Sequence, residues 1–234
     1  MKQRRGMSVS LARLARLRQG TYRLLASLLT YPDPERLVMI SLAARFLHKD
    51  RLWVTSLAFF PQWDTLLRRL LVLGPEDVTE LQAAYYSLFM GGSTQKPVPL
   101  CESAYVAPTT APPGQVIATI EAAYAMAGLK ASSNGNAPDY LTTEMEFLSA
   151  LCGREAQAWQ DGDAAQALQT ADLQRRFLEA HLFRWLPLLE NAVARRDRDG
   201  FYAAVIRASW ALIAHDVDMA GLLVSSLREE VPAR

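Results

Sequence analysis

Wherever this chain carries enough apolar residues to build an element, they recur every three or four positions and do not alternate. The N-terminal stretch sets the pattern. From Ser8 or Ser10 to Thr30, Leu11, Leu14, Tyr22, Leu25, Leu28 and Leu29 fall near helical spacing, with arginines mostly between them. No convincing run of alternating, β-branched residues occurs, so each apolar stripe has to bury itself against another helix. The expected fold class is all-α.

Proline and glycine cut the chain into lengths. Tyr31-Pro32-Asp33-Pro34 stops the first helix and starts another over Arg36 to Lys49, with Asp33 as N-cap and Pro34 in its first turn. Leu52 to Leu73 reads as one or two helices interrupted at Pro61, and Trp53, Phe59, Phe60 and Trp63 supply core bulk there. Beyond Gly74-Pro75, Glu76, Asp77 and Glu80 suit the positive end of a helix running to about Met90. Further helices are expected from Pro112-Pro113 to Ala127, Pro138 to Trp159, Ala164 to His181, Leu182 to Arg195 with a kink or break near Pro187, and Gly200 to Ser226. Glu229 to Arg234 reads as frayed. The total is about nine to eleven helices in a single domain spanning 1–234, without internal repeats. A candidate hinge lies near 130–137, around Ser132-Ser133-Asn134-Gly135-Asn136.

Composition narrows the function classes. With 234 residues, 50% of them hydrophobic and 21% charged, the chain has enough apolar mass for a globular core. A formal net charge of +1 gives no global attraction to nucleic acid or anionic membrane. Cys101 and Cys152 are too few for a disulfide scaffold and lack C-x-x-C spacing, which suits reduced thiols in the cytoplasm. No apolar run is long enough to span a membrane, so stable membrane insertion is not expected. Arg4-Arg5 resembles a twin-arginine export signal. The charged, amphipathic residues after it, Arg13, Arg16, Arg18 and Arg23, instead read as the first helix of the mature fold.

Catalytic patterns are missing. His48, His181 and His215 are widely spread, and neither H-E-x-x-H nor a Glu-x-x-His pair occurs. Ser103 lacks a nucleophile elbow, and no phosphate-cradling or dinucleotide loop is present. Glu144 and Glu146, two apart on a helix, point in different directions. No catalytic residue, metal or cofactor is expected of the chain itself.

The stretch that interrupts the helical pattern most is Tyr85 to Pro108, YYSLFMGGSTQKPVPLCESAYVAP. Gly91-Gly92 frees the backbone where a helix must stop, and Pro97, Pro99 and Pro108 stiffen a loop that carries Glu102, Ser103 and Tyr105. Such a loop is either a plain crossover or a working surface. Its order, Leu88-Phe89, Gly91, Pro99, Glu102-Ser103 and Tyr105, resembles the TorD/DmsD/NarJ family of chaperones for molybdenum oxidoreductases. Two further pieces follow in family order: Ala137-Pro138-Asp139-Tyr140-Leu141 with Glu144 to Leu148, and Phe177-Leu178, His181-Leu182 and Trp185. One departure is Tyr140, where much of the family has histidine; it cannot supply a protonatable imidazole.

The resemblance implies a TorD-like, non-enzymatic, cytoplasmic chaperone. Its partner would be the precursor of a molybdopterin-containing oxidoreductase catalytic subunit, bound through the apo-enzyme and its twin-arginine signal peptide until cofactor is inserted. On that expectation Leu88, Phe89 and Tyr105 line an apolar groove, and Glu102 and Asp139 meet the peptide arginines, with Ser103 and Tyr140 beside them. The alternatives from the residues alone are core packing for Leu88 and Phe89, a cap or loop hydrogen bond for Glu102, and a helix-dipole charge for Asp139. The oligomeric state stays open between monomer and domain-swapped dimer, as does the identity of the client. Two other classes compete: a DNA-binding regulator using the arginine-rich first helix, and an unassigned all-α enzyme.

Overall fold

A computed structural model describes residues 2–49, 51–92, 96–106, 112–130 and 136–228. Among them are ten α-helices and no strand: α1 Lys2–Leu28, α2 Pro34–Lys49, α3 Phe60–Leu71, α4 Val78–Tyr85, α5 Ser103–Val106, α6 Pro113–Met126, α7 Leu141–Asp161, α8 Ala164–Ala180, α9 Leu182–Ala194 and α10 Phe201–Arg228. The all-α expectation holds, in one domain. The candidate hinge falls mostly on 131–135, and the frayed end on 229–234; both lie outside the described residues.

The long helices make the frame. α7 packs against α1 on one side and α8 on the other, while α10 lies against α8, α9 and α3. α2 folds back along α1 closely enough that a Cβ on Gly20 would stand 3.1 Å from Leu47. Most of the stripes named in the sequence are buried: Tyr22, Leu25 and Leu28 from α1 with Leu29 just after it, Leu141, Met145, Leu148 and Cys152 from α7, and Phe177, Leu178, Leu182 and Trp185 from α8 and α9, while Leu11 and Leu14 are half-buried. Each large side chain removed from water in this way contributes about 1.5–3 kcal/mol before entropy is charged against it. α9 runs through Pro187 without a break.

Local chemistry sets the ends. Asp33 accepts the backbone N–H of Arg36 at 2.8 Å, which caps α2. Gly162, at φ 76°, stops α7, and Asp163 then caps α8 through the N–H of Gln166. α4 does not end cleanly but widens into a π-helical turn over Tyr86–Met90, closed by Gly91 at φ 98°. Proline stands just inside α6, as expected from Pro112-Pro113, and also just inside α3, where Pro61 begins a helix and does not merely interrupt one. α7 begins at Leu141 and not Pro138, because the preceding residues have other partners.

Arg18, one of the arginines of the amphipathic first helix, is 1% exposed. Its guanidinium donates to Asp216 at 2.9 Å, Glu155 at 3.0 Å and Gln174 at 2.6 Å, joining α1, α10, α7 and α8 at one point. Tyr22 also donates to Asp216 at 2.8 Å, and Cys152 Sγ to Gln174 at 3.3 Å. Burial pulls the Arg18 pKa down, and the carboxylates of Asp216 and Glu155 more than reverse the effect, so the group stays charged. Burial pushes the Cys152 thiol well up, which keeps it protonated as a donor.

Candidate functional site

The three sequence pieces that carry the family resemblance meet at one place. After Gly92 and the residues beyond it, the chain returns alongside α4, and Val98 N–H donates to the Leu88 carbonyl at 2.8 Å. It then runs antiparallel to the segment before α7 for a single β-bridge between Cys101 and Tyr140. Glu102 N–H donates to the Asp139 carbonyl at 2.9 Å, and Leu141 N–H to the Leu100 carbonyl at 2.8 Å. The Asp139 carboxylate accepts the N–H of Ser103 at 3.1 Å, at the start of α5. Tyr124 of α6 donates its hydroxyl to the Pro138 carbonyl at 2.8 Å. These bonds take the backbone that would otherwise have extended α7 to Pro138.

Beneath the bridge is a buried polar joint. Glu102 is 2% exposed, and its carboxylate meets His181 Nδ1 at 3.0 and 3.3 Å, a contact that needs a proton between the two groups. His181 is the residue at which α8 ends and α9 begins, with φ −121° and ψ −95°. The central loop is thus bound to the α8–α9 corner. One turn into α9, Trp185 is fully buried and stacks on Tyr105 of α5, with ring centroids 5.4 Å apart and planes 24° apart. Tyr105 also donates its hydroxyl to the Pro99 carbonyl at 2.9 Å, which pins the loop over the tryptophan.

Glu144 completes the joint. It is 0% exposed, and neither carboxylate oxygen has a hydrogen-bond partner among the described residues. Burial, then the neighbouring Glu102, push its pKa well above the ordinary carboxylate value. The Trp185 indole opposes the shift in part, although no hydrogen bond of good geometry closes between them. Glu144 is therefore held as a neutral acid. Burial also raises the Cys101 thiol, with Asp139 adding to the effect.

The candidate residues divide into two groups. Leu88 is buried, and Phe89 is half-buried against Tyr85 and Tyr202, with centroids 5.1 and 5.3 Å apart. Tyr105 stacks elsewhere, on Trp185, and so does not share a contact with Phe89 in a single wall. Glu102 and Asp139 are brought together, but Asp139 is 1% exposed, and both carboxylates point into the structure they hold. Ser103, Tyr105 and Tyr140 remain partly open to solvent, and Ala104 is exposed. Tyr140 lies beside Tyr85, whose hydroxyl donates to the Leu29 carbonyl at 3.3 Å, so its phenol joins the bridge to α4. The partly exposed side chains of the bridge, Ser103, Tyr105 and Tyr140, are aromatic or hydroxyl-bearing, and its two acids, Glu102 and Asp139, are buried.

Periodicity carries a signal for the buried charges. Glu144 lies in register with Leu141 and Leu148, and Arg18 falls four residues from both Leu14 and Tyr22. A charge on an apolar stripe is either paired inside the core or neutral. Among the described residues, no group of three or more His, Cys, Asp or Glu could hold a metal ion.

The family model of the nitrate reductase delta subunit matches residues 58–191, a span that contains all seven candidate residues and the joint beneath them. Relatives with curated names agree. The perchlorate reductase assembly chaperone protein of Dechloromonas aromatica (strain RCB) is 34% identical over 131 residues, 54% of this chain and 55% of that one. The selenate reductase assembly chaperone protein of Thauera selenatis is 42% identical over 60 residues, 26% of this chain and 30% of the relative. The chaperone protein TorD of Vibrio cholerae serotype O1 is 32% identical over 90 residues, covering 38% and 40%. The chain spans about half the length, or less, of the curated relatives it matches. No solved structure matches it significantly. On the family match and the motifs gathered at this joint, the chain belongs to the nitrate reductase delta subunit family, the family of TorD and NarJ.

Proposed function

We propose that this protein is an assembly chaperone for a molybdenum oxidoreductase, acting by binding and not by catalysis. Its client is the catalytic-subunit precursor, held in the cytoplasm with its twin-arginine signal peptide until cofactor has been inserted. The observation that carries this reading is the convergence of the three motif pieces on one joint, where the Glu102–His181 contact fastens the central loop to the α8–α9 corner. The names of the relatives, assembly chaperones of perchlorate and selenate reductases, support the same class of client.

The seven candidate residues take two roles in it. Ser103, Tyr105, Tyr140 and the open edge of Phe89 contact the client. Leu88, Glu102 and Asp139 set the loop in the shape that presents them. A peptide laid against this surface would find ring faces for its apolar stretch and backbone carbonyls for its arginines.

An affinity pull-down of the tagged protein from its own host under anaerobic growth, read by mass spectrometry, tests the proposal. Recovery of one molybdoenzyme catalytic subunit with its signal peptide intact is expected. Recovery of none, in cells shown to express such a subunit, would sink it.

A further inference from the structure

Away from the central loop, α1 and α2 enclose a groove of about 570 Å³ on their outer side. Its floor is apolar, formed by Leu17 and Leu24 of α1 and Ile40 and Leu47 of α2. Its α2 wall rises through Met39 and Phe46, which are 65% and 69% exposed although a soluble helix would ordinarily put polar residues there. Val38 and Leu42 continue the apolar stripe outside the groove. The rim has one sign: the lining includes Arg13, Arg16, Arg23 and Arg36 and no carboxylate.

Those charges are only partly neutralised. Arg36 is paired with Asp33 at 3.1 Å. Arg16 donates to the neutral amide oxygens of Gln19, Gln157 and Gln160, at 3.1 to 3.4 Å, and makes no ion pair among the described residues. Arg23 is exposed and makes no ion pair among the described residues. Arg23 and Arg36 also border a second recess of about 380 Å³, which is polar and is lined by Asn136, Thr142 and the exposed carboxylate of Glu146. The apolar groove therefore leads past two arginines toward the segment that enters the β-bridge.

We infer that the α1–α2 groove binds a helical segment of a partner protein whose apolar stripe is flanked by acidic residues. Length and charge choose this occupant. The α1 side runs from Arg13 to Ser27, about 21 Å at 1.5 Å per residue, which matches about four turns of a second helix. An apolar floor has nothing to offer nucleotide bases or sugars beyond contact, whereas it takes leucine-sized side chains at helical spacing. The arginine rim repels a twin-arginine peptide and attracts carboxylates. The groove is thus a second surface, with the opposite charge preference from a signal-peptide site. It stands on its own residues and does not depend on the chaperone reading.

The test uses the full chain and two fluorescent amphipathic peptides with the same leucine stripe, of about sixteen residues for the length of the groove. One is flanked by glutamates and the other by lysines, and binding is read by anisotropy at physiological ionic strength. The glutamate peptide is expected to bind at least tenfold tighter. In the Arg16→Glu/Arg23→Glu double variant that order should invert, and Phe46→Ala should weaken both peptides. Arg23→Glu alone, which spares the Arg16 contacts, should narrow the preference. Circular dichroism melts check that each variant folds. Equal binding of the two peptides, no binding of either, or an order unchanged by charge reversal would overturn the inference. So would capture of duplex DNA or anionic vesicles by the same arginines that the glutamate peptide fails to displace.

Discussion

Replacing Glu144 with glutamine isolates a single proton at the center of the joint. The side chain is 0% exposed, has no hydrogen-bond partner among the described residues and sits beside Glu102, so ionising it in the folded state is costly. A carboxyl whose folded pKa stands above its unfolded value takes up a proton on folding. The stability it confers is present in full below the unfolded value of 4.5 and drains away as pH rises through the folded value. One proton sets the slope at no more than about 1.4 kcal/mol per pH unit. Glutamine keeps the shape of the neutral acid and cannot ionise. Urea unfolding followed by circular dichroism, from about pH 5 to pH 8, should therefore show Glu144→Gln gaining on the parent as pH rises, by up to that slope. The absolute offset depends on how well the amide is accommodated, so the change with pH is what decides. A constant offset would refute the neutral-acid assignment. A carboxylate already ionised in both states above pH 5 gives that constant offset.

Other substitutions probe the remaining parts of the frame. Arg18→Met leaves Asp216 and Glu155 buried without their cation and should cost about 3–5 kcal/mol, which a thermal melt would record as a fall of about 6–20 °C for a domain of this size. A fall of only 1 or 2 °C, on the order of a surface pair, would show that the network is not closed as described. Gly91→Ala forces a side chain onto a φ of 98° and should cost about 1–2 kcal/mol by chemical denaturation, with a Gly91→Asn variant losing less. Tyr105→Phe removes the hydroxyl bond to Pro99 but keeps the stack on Trp185, and should cost about 1 kcal/mol in the same assay; Tyr105→Ala should cost clearly more.

The helices were readable because their signal is local. A stripe such as Leu141, Met145, Leu148 and Cys152 states its own period, and Gly162 and Asp33 announce ends through chemistry that reaches only a few residues. The π-helical turn over Tyr86–Met90 was not readable, since it is set by the return of Val98 onto the Leu88 carbonyl. The joint was legible only in its members. Glu102, Asp139 and His181 stood out through the family resemblance, but nothing local says that residues 79 positions apart pair, or that the acids face inward and not toward a client. Arg18 shows the same limit: its place on the leucine stripe could be read, while its partners at positions 155 and 216 come from other helices. The exposed face of α2 is not legible in the sequence because Val38, Met39, Leu42 and Phe46 alternate with Leu37, Ile40, Ala44 and Leu47, which are buried, and composition alone does not separate the two sets.

The most direct test of the central claim is a contact measured at the loop itself. A photo-crosslinking amino acid at Ala104, exposed between Ser103 and Tyr105, can be compared in the native host with one at Val72, which is also exposed but lies at the end of α3. The account predicts a crosslink from position 104 to the signal-peptide-bearing precursor of a molybdoenzyme catalytic subunit, and none from position 72. Expression of that subunit with no crosslink from position 104, or with equal crosslinking from both positions, would contradict it.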